Sequence, residues 1–485
     1  MPRSPGTETP TEAPAPDDCV IVIFGANGDL ARRKLLSGLF HLQQAGLMPD
    51  GFRIVGCSRT ELSDDEFRSF ARSAVEEFGR MPPDGEHWEA FASLLSYVGT
   101  ADGLDRLASA VTDAQREIGG RPRVLHYLSV PPSASAGVVT ELRTTGLNAD
   151  ARVIMEKPFG TDLASSRALN ATLLTAFDES QIFRIDHFLG KEAVQNILAL
   201  RFANGMFEPV WNCNHIDHVQ IDVPETLSIG TRAAFYEGTG AYRDMVVTHL
   251  FQVLGFVAME PPTSLDAATL AAEKAKVFDA MPPLRPADVV RGQYEGYRDE
   301  KGVRSDSETE TFVAVRAQVD NWRWSGVPFF LRTGKRLAES RQTLTLAFKQ
   351  PPRRMLPLDA RFTAESFGTD HLTFELEDPG SITVSFLAKV PGPRLELGEA
   401  EMDFRYADAF GGEEHALEAY ERLIHDVMIG DRTLFTTSGG IERLWEVSAP
   451  VLGSPPPVLP YKPGSWGPEA IDGLIAPRRW HLPAH

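Results

Sequence analysis

CVIVIFGANGDLA, residues 19–31, decides the architecture of the first part of this chain. The six apolar residues Cys19–Phe24 do not alternate with polar ones, so they suit a strand covered on both faces. Gly25 ends the run. From Leu30 the stretch LARRKLLSGLFHLQQAGL repeats Leu, Phe and Ala at helical spacing, giving strand, turn, helix. Working outward, further short strands are read at Phe52–Val55, Val124–Leu128 and Val153–Met155, with amphipathic helical stretches between them. Strands alternating with helices predict a doubly wound parallel sheet.

Past residue ~190, a cut guided by typical domain size, strands follow strands. Val219, Ile221 and Val223 alternate with polar neighbours; Thr311, Val313, Val315 and Val319 share one face; Leu344, Leu346 and Phe348 share another. Leu372, Phe374 and Leu376 lead through Asp378-Pro379-Gly380 into Ile382, Val384 and Phe386, which predicts a hairpin. Val246, Leu250, Val253, Leu254 and Val257 form a helical stripe, as do Tyr420, Leu423, Ile424 and Val427. The expected organisation is therefore a disordered tail at 1–17, an α/β dinucleotide-binding domain of Rossmann-like type at 18–190, and an α+β domain at 191–485 with a large, mostly antiparallel sheet. The tail expectation comes from Pro2, Pro5, Pro10, Pro14 and Pro16 set among Thr, Ser and acids.

Composition narrows the function. The chain has 485 residues, 42% of them hydrophobic, and a formal charge of −19, which repels nucleic-acid phosphate and anionic lipid. A small anionic ligand would need a local cationic pocket. No stretch approaches the ~20 apolar residues of a membrane span, and the start lacks the apolar middle of a signal peptide. Three cysteines, Cys19, Cys57 and Cys213, make no disulfide framework, so a soluble protein of the reducing cytoplasm is expected.

The turn Gly25-Ala26-Asn27-Gly28-Asp29-Leu30 lies where an open parallel sheet presents helix amides to a pyrophosphate. It reads GxxGDLA and not GxGxxG, so a tight turn needing glycine for its own backbone is an equal reading. After strand two comes Arg59, where an NAD-selective enzyme would place a carboxylate. A guanidinium there favours a 2′-phosphate and hence NADP, with a solvated loop arginine as the alternative. Lys157, in Glu156-Lys157-Pro158-Phe159-Gly160, leaves the sheet at its carboxyl end, where such folds bind ligands. Arg184-Ile185-Asp186-His187-Phe188-Leu189-Gly190-Lys191-Glu192 puts cationic donors beside an Asp-His pair, a set suited to phosphate. His249 sits one residue before the buried Leu250 and should lie near the core edge, although α-helical spacing gives it no carboxylate on its own face. Cys213, His215 and His218 are close, but His215 and His218 should face opposite sides of a strand, so no metal site is expected.

GANGDLA, EKPFG, RIDHFLGKE with the following RFAN, RDMVVTHL and VPFFLRTGK together resemble, in order and spacing, the motifs of the glucose-6-phosphate dehydrogenase family. The resemblance runs from Cys19 to Trp466 and the final Arg478-Arg479-Trp480. It implies NADP-dependent oxidation of D-glucose 6-phosphate to 6-phosphogluconolactone, the first step of the oxidative pentose phosphate pathway, with NAD as a weaker alternative and no metal. Carried over motif by motif, it implies that His249 is the general base and Asp186 its partner; because these lie 63 residues apart, the pair is expected to be assembled across the domain junction. It implies that His187 and Lys191 hold the phosphate, that Lys157 touches both sugar and cofactor after a strand and before a cis-Pro158, and that Glu225, Asp244 and Lys335 contact substrate. Gly25, Asn27, Gly28, Asp29, Leu30 and Arg59 are expected to serve the cofactor. A homodimer or homotetramer is expected on the same ground. The sequence departs from the family in three places: Phe188 stands where a Tyr is common and removes one phosphate donor, Val247-Thr248 replaces a common QN before the histidine, and residues 231–236 read TRAAFY in place of a glycine-rich loop.

Overall fold

A computed structural model describes residues 15–353, 355, 370–410 and 417–482, so most of the expected tail lies outside the described residues. By contact density the chain divides into two compact units. The first comprises Met1–Glu156, Ala171–Ile185 and Tyr420–Arg432; the second comprises Lys157–Asn170, Asp186–Ala419 and Thr433–His485. This is more interleaved than a single cut near residue 190. The stripe at Tyr420 belongs to the first unit, because its helix, Ala419–Ile429, buries Glu421 against His41 and takes the Arg152 guanidinium on the Met428 carbonyl at 2.8 Å.

The first unit carries a sheet of β1 (Cys19–Phe24), β2 (Phe52–Ser58), β3 (Leu95–Gly99), β4 (Arg123–Leu128), β5 (Arg152–Met155) and β6 (Ile182–Arg184). All neighbours pair in parallel, in the order β3-β2-β1-β4-β5-β6. The order reverses beside β1, which is where open sheets of this type bind dinucleotides. β1 is buried at every residue, as its unbroken apolar run requires. The sheet goes beyond the strands read from sequence in three places. β2 runs past Val55 to Ser58 through Gly56, where the Phe67 ring fills the place of a side chain and a Cβ would lie 2.5 Å from it. β3 is only five residues long and β6 only three, and β6 ends in a buried Arg184 paired with Glu179, a polar signature that hides a strand.

The second unit holds β7 (Ile216–Pro224), β8 (Val289–Tyr294), β9 (Phe312–Ala317), β10 (Phe329–Gly334), β11 (Thr343–Phe348), β12 (His371–Glu375), β13 (Ser381–Lys389), β14 (Leu397–Arg405) and β15 (Val458–Tyr461). They form one sheet in the order β14-β13-β12-β11-β7-β10-β9-β8-β15, antiparallel except for β7 with β10 and β8 with β15. The hairpin through Asp378-Pro379-Gly380 is present, with β12 and β13 antiparallel and Gly380 at φ +76°. At the centre Asp222 faces Arg332 across β7 and β10, joined at 2.5 Å and fully buried. A buried pair needs its remaining faces satisfied. Arg332 lies 4.3 Å from the Trp480 ring and 4.9 Å from that of Trp466, which gives the two carboxyl-terminal tryptophans a structural duty.

Candidate active site

His249 is carried by a helix that is buried on all sides and not merely along one stripe. Tyr242–Leu250 is wound as a π-helix and continues as the α-helix Phe251–Ala258. In a π-helix the hydrogen bonds span five residues, so residues five apart come close to stacking one above the other. Asp244 and His249 are so placed. Lys157 joins them: its Nζ lies 2.8 Å from Asp244 Oδ1 and 2.7 Å from His249 Nε2. The carboxylate that α-helical spacing denied to this face of the helix is therefore supplied by the wider winding.

The other imidazole nitrogen, Nδ1, meets Asp186 Oδ1 at 2.6 Å. An ammonium only donates, so Nε2 of His249 accepts from Lys157, and the ring proton must sit on Nδ1 and go to Asp186. The hydrogen-bond pattern thus fixes the tautomer in which the basic lone pair is on Nε2. Asp186 Oδ1 also accepts the Phe188 backbone N–H at 3.0 Å, while Oδ2 is buried with no hydrogen-bond partner among the described residues. Burial pushes the Asp186 carboxyl up to about 6, against the opposing pull of His187 and Lys157. Burial, followed by the Lys157 charge, drives His249 well below the ordinary imidazole range, so it stands neutral. Burial alone would raise Asp244, but Lys157 outweighs it and holds that carboxyl down at about 2. Asp186 and His249 both belong to the second unit, not to two domains as the 63-residue spacing suggested.

Around this pair, the Phe188 ring stacks on His249 with centroids 4.5 Å apart and planes at 23°, and His187 meets His249 edge-on at 4.7 Å. Lys191 Nζ lies 4.5 Å from the Phe188 centroid and 2.9 Å from Gln342 Oε1. Burial lowers Lys191, and the Asp378 and Glu377 carboxylates resist that. Glu225 and Lys335 leave the same edge of adjacent parallel strands, one residue past the Pro224–Gly334 register pair, and form an ion pair. Of the residues read from sequence, the second unit therefore brings Lys157, Asp186, His187, Asp244 and His249 into one cluster, with Lys191 against Phe188 and Glu225 with Lys335 as a pair. Gln342 and the π winding had no sequence signal. Asp186, His187 and His249 offer ligand atoms within 4.8 Å of one another, but the Asp186–His249 hydrogen bond engages Asp186 Oδ1 and His249 Nδ1, and the Lys157 ammonium at His249 Nε2 opposes a cation there.

In the first unit, Gly25 closes β1 at φ +75°, with Gly25 and Ala26 both donating to the Cys57 carbonyl at 2.8 and 3.1 Å. A Cβ on Gly25 would lie 2.3 Å from the Ser129 carbonyl oxygen, so only glycine fits. Gly28 donates to Gly25 at 2.9 Å, Asn27 is exposed, and Asp29 pairs with Arg33 at 2.7 Å as the chain enters the helix at Leu30. Arg59 is exposed just beyond β2, the strand beside β1, and forms no ion pair among the described residues. Gly25 and Arg59 thus stand at the carboxyl ends of neighbouring strands, a spacing that suits a phosphate group and its ribose.

Residues 22–196 match the family model "Glucose-6-phosphate dehydrogenase, NAD binding domain", and residues 198–481 match "Glucose-6-phosphate dehydrogenase, C-terminal domain". A relative from Mycobacterium tuberculosis, glucose-6-phosphate 1-dehydrogenase 2, is 41% identical across 96% of this chain and 95% of its own length. The glucose-6-phosphate 1-dehydrogenase of Aggregatibacter actinomycetemcomitans is 40% identical across 96% and 98%. Among solved structures, glucose-6-phosphate 1-dehydrogenase from Mycobacterium avium superposes with a TM-score of 0.86 at 37% identity, covering 97% of this chain and 99% of that one. A glucose-6-phosphate dehydrogenase in complex with glucose 6-phosphate gives 0.88 at 31% identity, covering 96% and 99%.

Proposed function

The chain belongs to the glucose-6-phosphate dehydrogenase family, and from that premise we propose that it oxidises the anomeric carbon of D-glucose 6-phosphate to the 1,5-lactone with NADP. The observation that carries the reading is the buried Asp186–His249 pair with its proton on Nδ1. In this reading the anomeric hydroxyl takes the place of the Lys157 ammonium at His249 Nε2. His249 removes the hydroxyl proton, and the imidazolium so formed is stabilised by Asp186 at Nδ1. Lys157, displaced from Nε2, keeps its bond to Asp244 and stays beside the reacting hydroxyl. His187 and Lys191 hold the phosphate end; Glu225, Asp244 and Lys335 take the sugar hydroxyls. Fixing the remote phosphate positions the reacting carbon, which is how binding energy is turned into rate.

When bound, the nicotinamide supplies the acceptor for the hydride. On the protein's side, the turn from Gly25 to Leu30 lets backbone amides approach a pyrophosphate, and Arg59 reads the 2′-phosphate, giving NADP over NAD. The free thiols Cys19 and Cys57 are buried and pushed upward by burial, and together with the acidic surface they fit a cytoplasmic enzyme. Assembly as a homodimer or homotetramer is proposed from the family alone.

A second reading, a shift toward another aldose, draws on Phe188, which stands against Lys191 without a hydroxyl. Nicotinamide reduction measured with a panel of sugars and sugar phosphates against both cofactors tests both. The main reading expects saturation by glucose 6-phosphate far below the concentration needed for free glucose. The reverse order would reject it in favour of the second.

A further inference from the structure

We propose that Gln342 is a phosphate-end specificity residue, supplying a neutral donor to the sugar phosphate and orienting Lys191 toward it. The inference rests on the proposed reading of Lys191 as a phosphate-holding residue. Gln342 immediately precedes β11, and its backbone carbonyl accepts the Leu376 N–H at 2.8 Å, which ties it to the strand next in the sheet. Its side-chain oxygen accepts from Lys191 Nζ at 2.9 Å.

That contact settles which way the carboxamide points. Lys191 has three N–H groups and no lone pair, so it must face Oε1, which leaves the Nε2 hydrogens on the same carboxamide of Gln342 outside that contact. Neither hydrogen has a partner among the described residues. Lys191 is in turn pressed against the face of Phe188, which has no donor of its own, with its Nζ 4.5 Å from the ring centroid. A phosphate that engaged the free side of Lys191 would therefore meet an amide donor from Gln342. Planar amide and ammonium together give a direction to the phosphate that a lone lysine, as a point charge, does not.

The test is steady-state kinetics of Gln342→Ala and Gln342→Glu, with glucose 6-phosphate and with free glucose, and with inorganic phosphate as a competitive probe. Gln342→Ala is expected to raise KM for glucose 6-phosphate about tenfold, the scale of one hydrogen bond to a charged group, with kcat within about twofold. Gln342→Glu should raise KM further, since a carboxylate repels the phosphate and captures Lys191 in an ion pair. The inhibition constant of inorganic phosphate should rise in parallel, while kcat/KM for free glucose stays unchanged. An unchanged KM for glucose 6-phosphate, or equal losses for phosphorylated and free sugar, would overturn the proposal. Wild-type enzyme that turns over both sugars equally would instead reject the phosphate reading of the site itself, a result visible before any variant is made.

Discussion

Around His249 the groups proposed to act are charges buried in protein, whereas at the end of β1 they are backbone amides near the surface. In the first region Lys157, Asp186, Asp244 and His249 hold one another at hydrogen-bond distance before any substrate arrives; burial raises Asp186 and lowers His249, and the Lys157 charge holds Asp244 down. In the second region the geometry depends on the absence of a side chain at Gly25, and Arg59 stands exposed beyond its strand. The difference teaches where each region is fragile. A buried charge cluster fails when one charge is removed, because its neighbours are left unpaired in a poor dielectric. A backbone cradle fails when an atom is added.

Removing one charge should have the larger effect. Lys157→Met is expected to lower kcat/KM by about 100-fold, since the lysine touches both His249, the proposed base, and Asp244, a proposed sugar contact. It should also displace the pH profile in a fixed direction. The lysine's charge depresses the His249 pKa, so its loss raises that pKa, and the imidazole is protonated and inactive over a wider acidic range. The acid limb of kcat/KM should move to higher pH; a limb that stays in place would show that the charge does not act on the base. Adding one atom comes next. Gly25→Ala forces a Cβ against the Ser129 carbonyl at positive φ and should cost about 2 kcal/mol of stability, read by denaturant unfolding, together with weaker cofactor binding. Native stability and cofactor affinity in that variant would remove the cradle from the account. Arg59→Ala is the mildest change: NADP affinity should fall about tenfold more than NAD affinity in titrations of the enzyme with each cofactor. Equal losses would show that the guanidinium does not select the 2′-phosphate.

The same contrast governs what the sequence disclosed. The run Cys19–Phe24 and its glycine turn were legible because a strand buried on both faces has to be apolar throughout. The hairpin at Asp378-Pro379-Gly380 was legible because its turn needs a residue that tolerates positive φ. β6 was not, since its last residue is a buried arginine whose partner, Glu179, lies outside the strand. In the site, motif resemblance supplied Asp186, His249 and Lys157, but it carried no geometry. The link from Lys157 through to Asp244 depends on π winding, which no residue pattern in Tyr242–Leu250 announces. Gln342 was invisible for a related reason: it meets Lys191 only through the sheet, 151 residues further along the chain.

Single-turnover nicotinamide reduction by the His249→Asn variant with glucose 6-phosphate and NADP, with sugar-phosphate binding measured alongside by calorimetry, tests most directly whether the buried imidazole is the base. The rate should fall by roughly 10²–10⁴-fold, the usual contribution of a general base, while the dissociation constant for glucose 6-phosphate changes by no more than a few-fold. A rate equal to that of the unaltered enzyme, with binding intact, would contradict it.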